Sequence, residues 1–187
     1  MCYLLAHCEG GPASSSSGFL RVKLSDIVGA DKQLSGVQTW IVREPNQLSL
    51  VSAIETDGIT MASVQLRMRA FLDEPDRAVM IQLEYNPPKG RNERLIRIEW
   101  RPLAPHTNTN KAPEPYRLMI IRTSHIHRFE NNSYEAGNRM VRGNLPHAIP
   151  LEPDPSNFGE LLEVASKELK ISDLNRVATP PWQARMV

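Results

Sequence analysis

Ser63-Val64-Gln65-Leu66-Arg67-Met68-Arg69-Ala70-Phe71-Leu72 alternates apolar and polar residues through position 70. In an extended chain successive side chains point to opposite faces. Val64, Leu66, Met68 and Ala70 then share a buried face, and Gln65, Arg67 and Arg69 the other. The same pattern recurs downstream. Ala78–Tyr85 puts Val79, Ile81, Leu83 and Tyr85 inward and Gln82 and Glu84 outward. Arg94–Arg101 puts Ile96, Ile98 and Trp100 against Arg97, Glu99 and Arg101. Upstream, Leu48–Thr56 ends at Asp57-Gly58, a hairpin turn signal, and a shorter run covers Thr39–Arg43. Asp73-Glu74-Pro75-Asp76 and the segment 87–92 supply the other turns.

Strands at this spacing predict an antiparallel meander of about five or six strands. Tyr116–Thr123 reads differently. Leu118-Met119-Ile120-Ile121 is apolar on both sides, which predicts a central or covered strand. Asp154 and Pro155 read as the cap and first residue of a helix over 154–170. Phe158, Leu161, Leu162, Ala165 and Leu169 form its apolar stripe, which should pack on the sheet. A short helix over 24–35, capped by Ser25, is also expected. The fold class is therefore α+β, predominantly β. Glu9-Gly-Gly-Pro-Ala-Ser-Ser-Ser-Ser-Gly18 is low-complexity, so residues 1–18 read as a flexible N-terminal segment and 19–187 as one globular domain. Pro180-Pro181-Trp182 is expected to pin the tail across a surface.

The net charge of +1 conceals an asymmetry. Residues 89–142 carry 11 basic and 5 acidic residues, whereas the flanking segments are net negative. Such a segment can attract an anion, a nucleic acid or an acidic partner. It also fits a solvated face of mixed charge. Sixteen of the 22 cations are arginine, the residue suited to bidentate phosphate or carboxylate contacts. Cys2 and Cys8 have no usual zinc-ligand spacing, and with His7 they make at most a partial metal cluster. No apolar run reaches the length of a membrane span and no secretory signal is evident, so a cytoplasmic protein is expected.

His125 and His127 are two apart in a strand-like stretch and share a face. Two imidazoles with Glu130 nearby could bind a metal or exchange protons with a phosphodiester. The proton-exchange use is the expectation taken here, with no metal and no cofactor. His125, His127 and Arg122 are the candidate catalytic residues. Arg128, His106 and Asn108 are the candidate substrate contacts, with guanidiniums holding phosphate. A structural His-x-His, each ring bonded to a carbonyl or an acid, is the competing reading. His125-x-His127-x2-Glu130-x6-Gly137 approaches the first cupin motif but is one residue short and lacks the preceding glycine. No phosphate-binding glycine loop or nucleophile elbow occurs.

The C-terminal half resembles small bacterial proteins that include the TumE-type toxins of toxin–antitoxin loci. Three pieces carry the resemblance, in order. They are Ile98–Pro102 with Pro105-His106-Thr107-Asn108, then His125-Ile126-His127, then the helix at 154–170. The strand at 116–123 lengthens the spacing, and the acidic residue expected beside the loop Asn is absent. The resemblance implies an intracellular protein from a toxin–antitoxin or defence-type locus, with a helix-turn-helix antitoxin as partner. RNA as the target of a small effector is the expectation from His125 and His127 and from the basic segment. A non-catalytic protein-binding or assembly module is the alternative.

Overall fold

The computed structural model describes residues 23–142 and 144–183, so the expectations for residues 1–18, with Cys2 and Cys8, lie outside it. In chain order the elements are α1 (Leu24–Gly29), β1 (Gln33–Leu34), β2 (Ile41–Glu44), β3 (Gln47–Thr56), β4 (Ile59–Phe71), β5 (Val79–Tyr85), β6 (Glu93–Trp100), β7 (His106–Thr107), β8 (Ile120–Ile121), β9 (His125–His127), α2 (Phe129–Asn132), β10 (Ser133–Tyr134), β11 (Arg139–Met140), β12 (Ile149–Pro150) and α3 (Phe158–Leu169). A 3-10 turn follows at Leu174–Arg176.

The meander forms as the alternation predicts. β3, β4, β5 and β6 pair antiparallel in sequence order. The sheet is larger than expected, with eight strands in the order β1-β3-β4-β5-β6-β9-β12 and β2 added beside β3. β2 answers to the expected run at Thr39–Arg43, and the further members β1, β9 and β12 are two or three residues long, below the length at which periodicity can be read. Val64, Leu66, Met68, Ala70, Val79, Ile81, Leu83, Ile96, Ile98 and Trp100 are all buried on one face. A bulge in the β5–β6 pairing skips Leu95, so Leu95 and Ile96 are buried together.

α3 covers that face with Phe158, Leu161, Leu162, Ala165 and Leu169. It starts later than expected. Asn157, not Asp154, is the cap, and its Oδ1 accepts from Glu160 N at 3.0 Å. Glu160 answers with Oε1 to Asn157 Nδ2 and Oε2 to Ser156 N, a reciprocal cap that Asp154 and Pro155 do not make. Trp100 closes the seam, donating from Nε1 to Pro155 O at 2.8 Å. Trp182 packs edge-on against Phe158, with ring centroids 5.8 Å apart, so the tail is pinned as expected. α1 ends at Gly29 rather than 35, and Lys23, not Ser25, precedes it.

The expected long strand at 116–123 does not form. Only Ile120 and Ile121 are extended, and they pair with β7 in a separate two-stranded sheet. Leu118 and Ile120 are 63% and 56% exposed while Ile121 is buried, so the domain covers only one side of this apolar run. Among the described residues no helix is long and apolar enough to cross a membrane.

Candidate metal centre

β9 lies between β6 and β12, hydrogen-bonded on both sides. Its register puts His125 beside Glu99 and His127 beside Arg97. Alternation then turns both imidazoles to the sheet face opposite α3, while Ile126 joins the core. Both rings are fully buried. β7 brings His106 onto the same spot from the loop that follows β6. Its ring centroid lies 5.5 Å from that of His125 and 4.7 Å from that of His127. One ligand nitrogen from each of the three rings lies within 4.8 Å of the others. Around a tetrahedral zinc, nitrogens at ~2.1 Å from the ion sit roughly 3.4 Å from one another, so closure needs only small ring movements.

Hydrogen-bond partners assign the tautomers. His125 Nδ1 is 2.9 Å from Thr123 O, an acceptor, so Nδ1 carries the proton and Nε2 the lone pair. That Nε2 is buried with no hydrogen-bond partner. His106 Nε2 is 3.1 Å from both Pro146 O and Asn108 Oδ1, so His106 offers its lone pair from Nδ1. The Asn108 amide cannot be reversed. Its Nδ2 donates to Tyr116 O and Ala148 O, and its Oδ1 also accepts from Ala148 N. Arg97 Nη2 lies 3.2 Å from His127 Nε2, and guanidinium can only donate. The His127 proton is therefore on Nδ1, which faces the Leu145 backbone without a well-formed hydrogen bond. Three neutral imidazoles result. His125 Nε2 and His106 Nδ1 keep a lone pair, and that of His127 Nε2 accepts from Arg97. His125 and His106 are held as metal-binding histidines are, by partners on the distal nitrogen, whereas His127 Nδ1 has no well-formed one.

Burial sets the charge state. It holds His127 down at about 2, helped by Arg97 and the other two histidines. Burial likewise lowers His125 against the opposing pull of Thr123 O and Glu99. Glu99 completes the cluster, with Oε2 3.7 Å from His125 Nε2 and Oε1 3.7 Å from His127 Nε2. Arg97 Nε is 2.9 Å from Glu99 Oε1, an ion pair too bent to count as a hydrogen bond.

The remaining candidates separate clearly. Asn108 belongs to the site through His106. Arg122 is exposed and lines a different hollow with Arg101, Ser124 and Asp154. Arg128 is one step out of phase with His127, faces α3 and pairs with Glu168, with Nε 3.0 Å from Oε2. Neither arginine reaches the histidines. Glu130 is exposed on α2 and stands outside the cluster. His147 is satisfied at both nitrogens, by Asn131 O and Thr109 Oγ1, and is structural. Arg97 and Glu99 were not singled out from the sequence. Their signal is the outward pair at i and i+2 on a strand that turns out to be the neighbour of His-x-His.

Arg97 and Glu99 also line a cleft of about 420 Å³ on the polar face of the sheet, with Arg69, Met80, Gln82, Arg94 and Leu103 among its other walls. Set against family models, curated proteins and solved structures, the chain has no significant match. The resemblance to TumE-type toxins thus rests on the three quoted motifs.

Proposed function

We propose that the domain is a metal-dependent phosphoester hydrolase. His106, His125 and His127 would hold one divalent first-row ion, and Glu99 would work beside it. The observation that carries this reading is the set of tautomers. Carbonyl acceptors fix the protonated nitrogens of His125 and His106 and leave a lone pair on each ring, and the donor Arg97 marks His127 Nε2 as the third, which opens to an ion when Arg97 is displaced. Neutral imidazoles suit zinc, iron, copper or nickel. Three protein ligands with a further position open is the arrangement of catalytic zinc.

The bound ion would supply Lewis acidity and lower the pKa of water. Glu99, reaching both the histidines and the cleft, would take the water proton. The water oxygen would then add to phosphorus, the P–O bond to the leaving group would break, and the proton would pass to the departing oxygen. Neutral, buried His127 is ill suited to donate a proton itself near neutral pH. The net positive segment 89–142, which contains all three histidines, supports the narrower proposal of an intracellular effector acting on RNA, with a helix-turn-helix antitoxin as partner. A second reading, a protein-binding module with a structural histidine cluster, draws support from exposed Leu118 and Ile120 close to β7.

The test is metal content and titration of the purified full chain. The reading expects one equivalent of zinc or iron, lost in His125→Ala with His127→Ala. Those rings are buried, so half-buried His106→Phe serves as the variant that keeps the fold. No saturable binding of any divalent ion would remove the proposal.

A further inference from the structure

The register of the sheet lays the polar residues out in rows. Arg69, Met80, Glu99 and His125 form one row across β4, β5, β6 and β9. Arg67, Gln82, Arg97 and His127 form the next. The histidines end both rows, and the cleft lies over the middle. With strands ~4.8 Å apart, the Arg69 backbone is roughly 10 Å from that of Glu99.

The charges in this cleft are not balanced. Glu84 is taken by Arg67, with Nε 2.9 Å from Oε1, and by Gln65 and Gln82. Glu99 is taken by Arg97. Arg69 is exposed and has no carboxylate within ion-pair distance among the described residues, and Arg94 has none either. Arg94 Nη1 and Arg97 Nη1 instead converge on one neutral oxygen, Asn144 Oδ1. Two like charges gathered on a single amide oxygen leave a place that an anion would fill better. The lining carries Arg69, Arg94 and Arg97 against Glu84 and Glu99, a surplus of one positive charge, which a phosphodiester balances and a phosphomonoester more than balances. Met80 and Leu103 give the cleft an apolar side, suited to the body that bears the phosphate.

We infer that Arg94, beside Arg97, anchors the phosphate of a phosphoester in this cleft and that Arg69, two strands away, adds positive charge from its far end, with the body of the ligand against Met80 and Leu103. The anchor stands on the charge geometry alone. The orientation, with the scissile bond towards Glu99, rests on the hydrolase reading. A cleft of about 420 Å³ holds one mononucleotide-sized unit, and so takes either a small phosphoester or one nucleotide of a single strand.

Calorimetric titration of the full chain, zinc-treated and chelator-treated, tests this with phenyl phosphate, a single-stranded oligoribonucleotide and benzoate. Saturable binding of phenyl phosphate or of the oligonucleotide is expected, weakened at least tenfold in Arg69→Gln and in Arg94→Gln, with unchanged melting and zinc content. Tight oligonucleotide binding with weak phenyl phosphate binding supports the anchor and assigns the strand as the source. The converse supports it and assigns a small molecule. Benzoate binding as well as phenyl phosphate would overturn the phosphate assignment. Binding unchanged in both variants, or none to wild type at millimolar ligand, would overturn the inference. Arginine-dependent phosphate binding in a chain that takes up no metal would uphold the anchor while removing the hydrolase.

Discussion

Arg97 Nη2 donates to His127 Nε2 at 3.2 Å, so a guanidinium holds the lone pair that a metal ion would need. Arg97 also keeps Glu99 paired. Metal entry must displace one charged hydrogen bond, of a kind worth about 1.5–3 kcal/mol. Arg97→Met should therefore tighten zinc binding, by roughly tenfold. Competition titration against a chromophoric chelator measures this, and weaker binding in the variant would contradict the account of Arg97 as a competitor.

Asn108 joins three parts of the chain, bonding His106, the carbonyls of Tyr116 and Ala148, and the Ala148 N–H. Asn108→Ala leaves buried polar groups unpaired and should cost roughly 2–4 kcal/mol in stability. It also releases the His106 ring, so metal affinity should fall about 10–100-fold where the fold persists. Denaturant melts and metal titration separate the two effects. A variant with native metal affinity would deny Asn108 its orienting role.

Lys32 lies outside the site. Its side chain is buried and donates to the carbonyls of Val28 and Ala30. Burial, with Lys170 nearby, lowers it from 10.5 to about 8. A lysine depressed in the fold opposes folding while it is charged. Between about pH 8 and 10.5 the unfolded chain still binds the proton that the folded chain has released, so stability rises with pH across that window. The rise is at most about 3 kcal/mol. It should vanish in Lys32→Met, and parallel stability profiles of wild type and variant over that window would refute it.

How much of this was legible in sequence follows from length and register. β4, β5 and β6 are 13, 7 and 8 residues long, and their alternation fixes both faces. β7, β8, β9 and β12 have two or three residues each, and their pairing depends on contacts distant in sequence. Leu118-Met119-Ile120-Ile121 shows the failure most clearly. Only Ile121 of it is buried, and the rest is an exposed edge rather than a core strand. His125 and His127 were placed correctly on one face by their spacing. Glu99 and Arg97 became their neighbours only through the β6–β9 register, and no local pattern encodes that pairing. Arg128 lies on the face opposite the histidines, paired with Glu168, for the reason that made the histidines visible, since adjacent strand residues point to opposite faces.

The polar face also behaves differently from a solvated surface. Gln82 and Glu84 are 3% and 7% exposed. Burial pushes the Glu84 carboxyl up, but hydrogen bonds from Arg67, Gln65 and Asn86 bring it below its ordinary value. The arginine rows are thus part of a built cleft beside the histidines.

The most direct test of the central claim is the stoichiometry of a divalent ion on the purified full chain. The account predicts one equivalent of zinc or iron per chain. It predicts that His106→Phe reduces this to below about 0.1 equivalent while circular dichroism and melting stay native. A chain that binds no divalent ion, or binds one with His106, His125 and His127 all replaced, would contradict it.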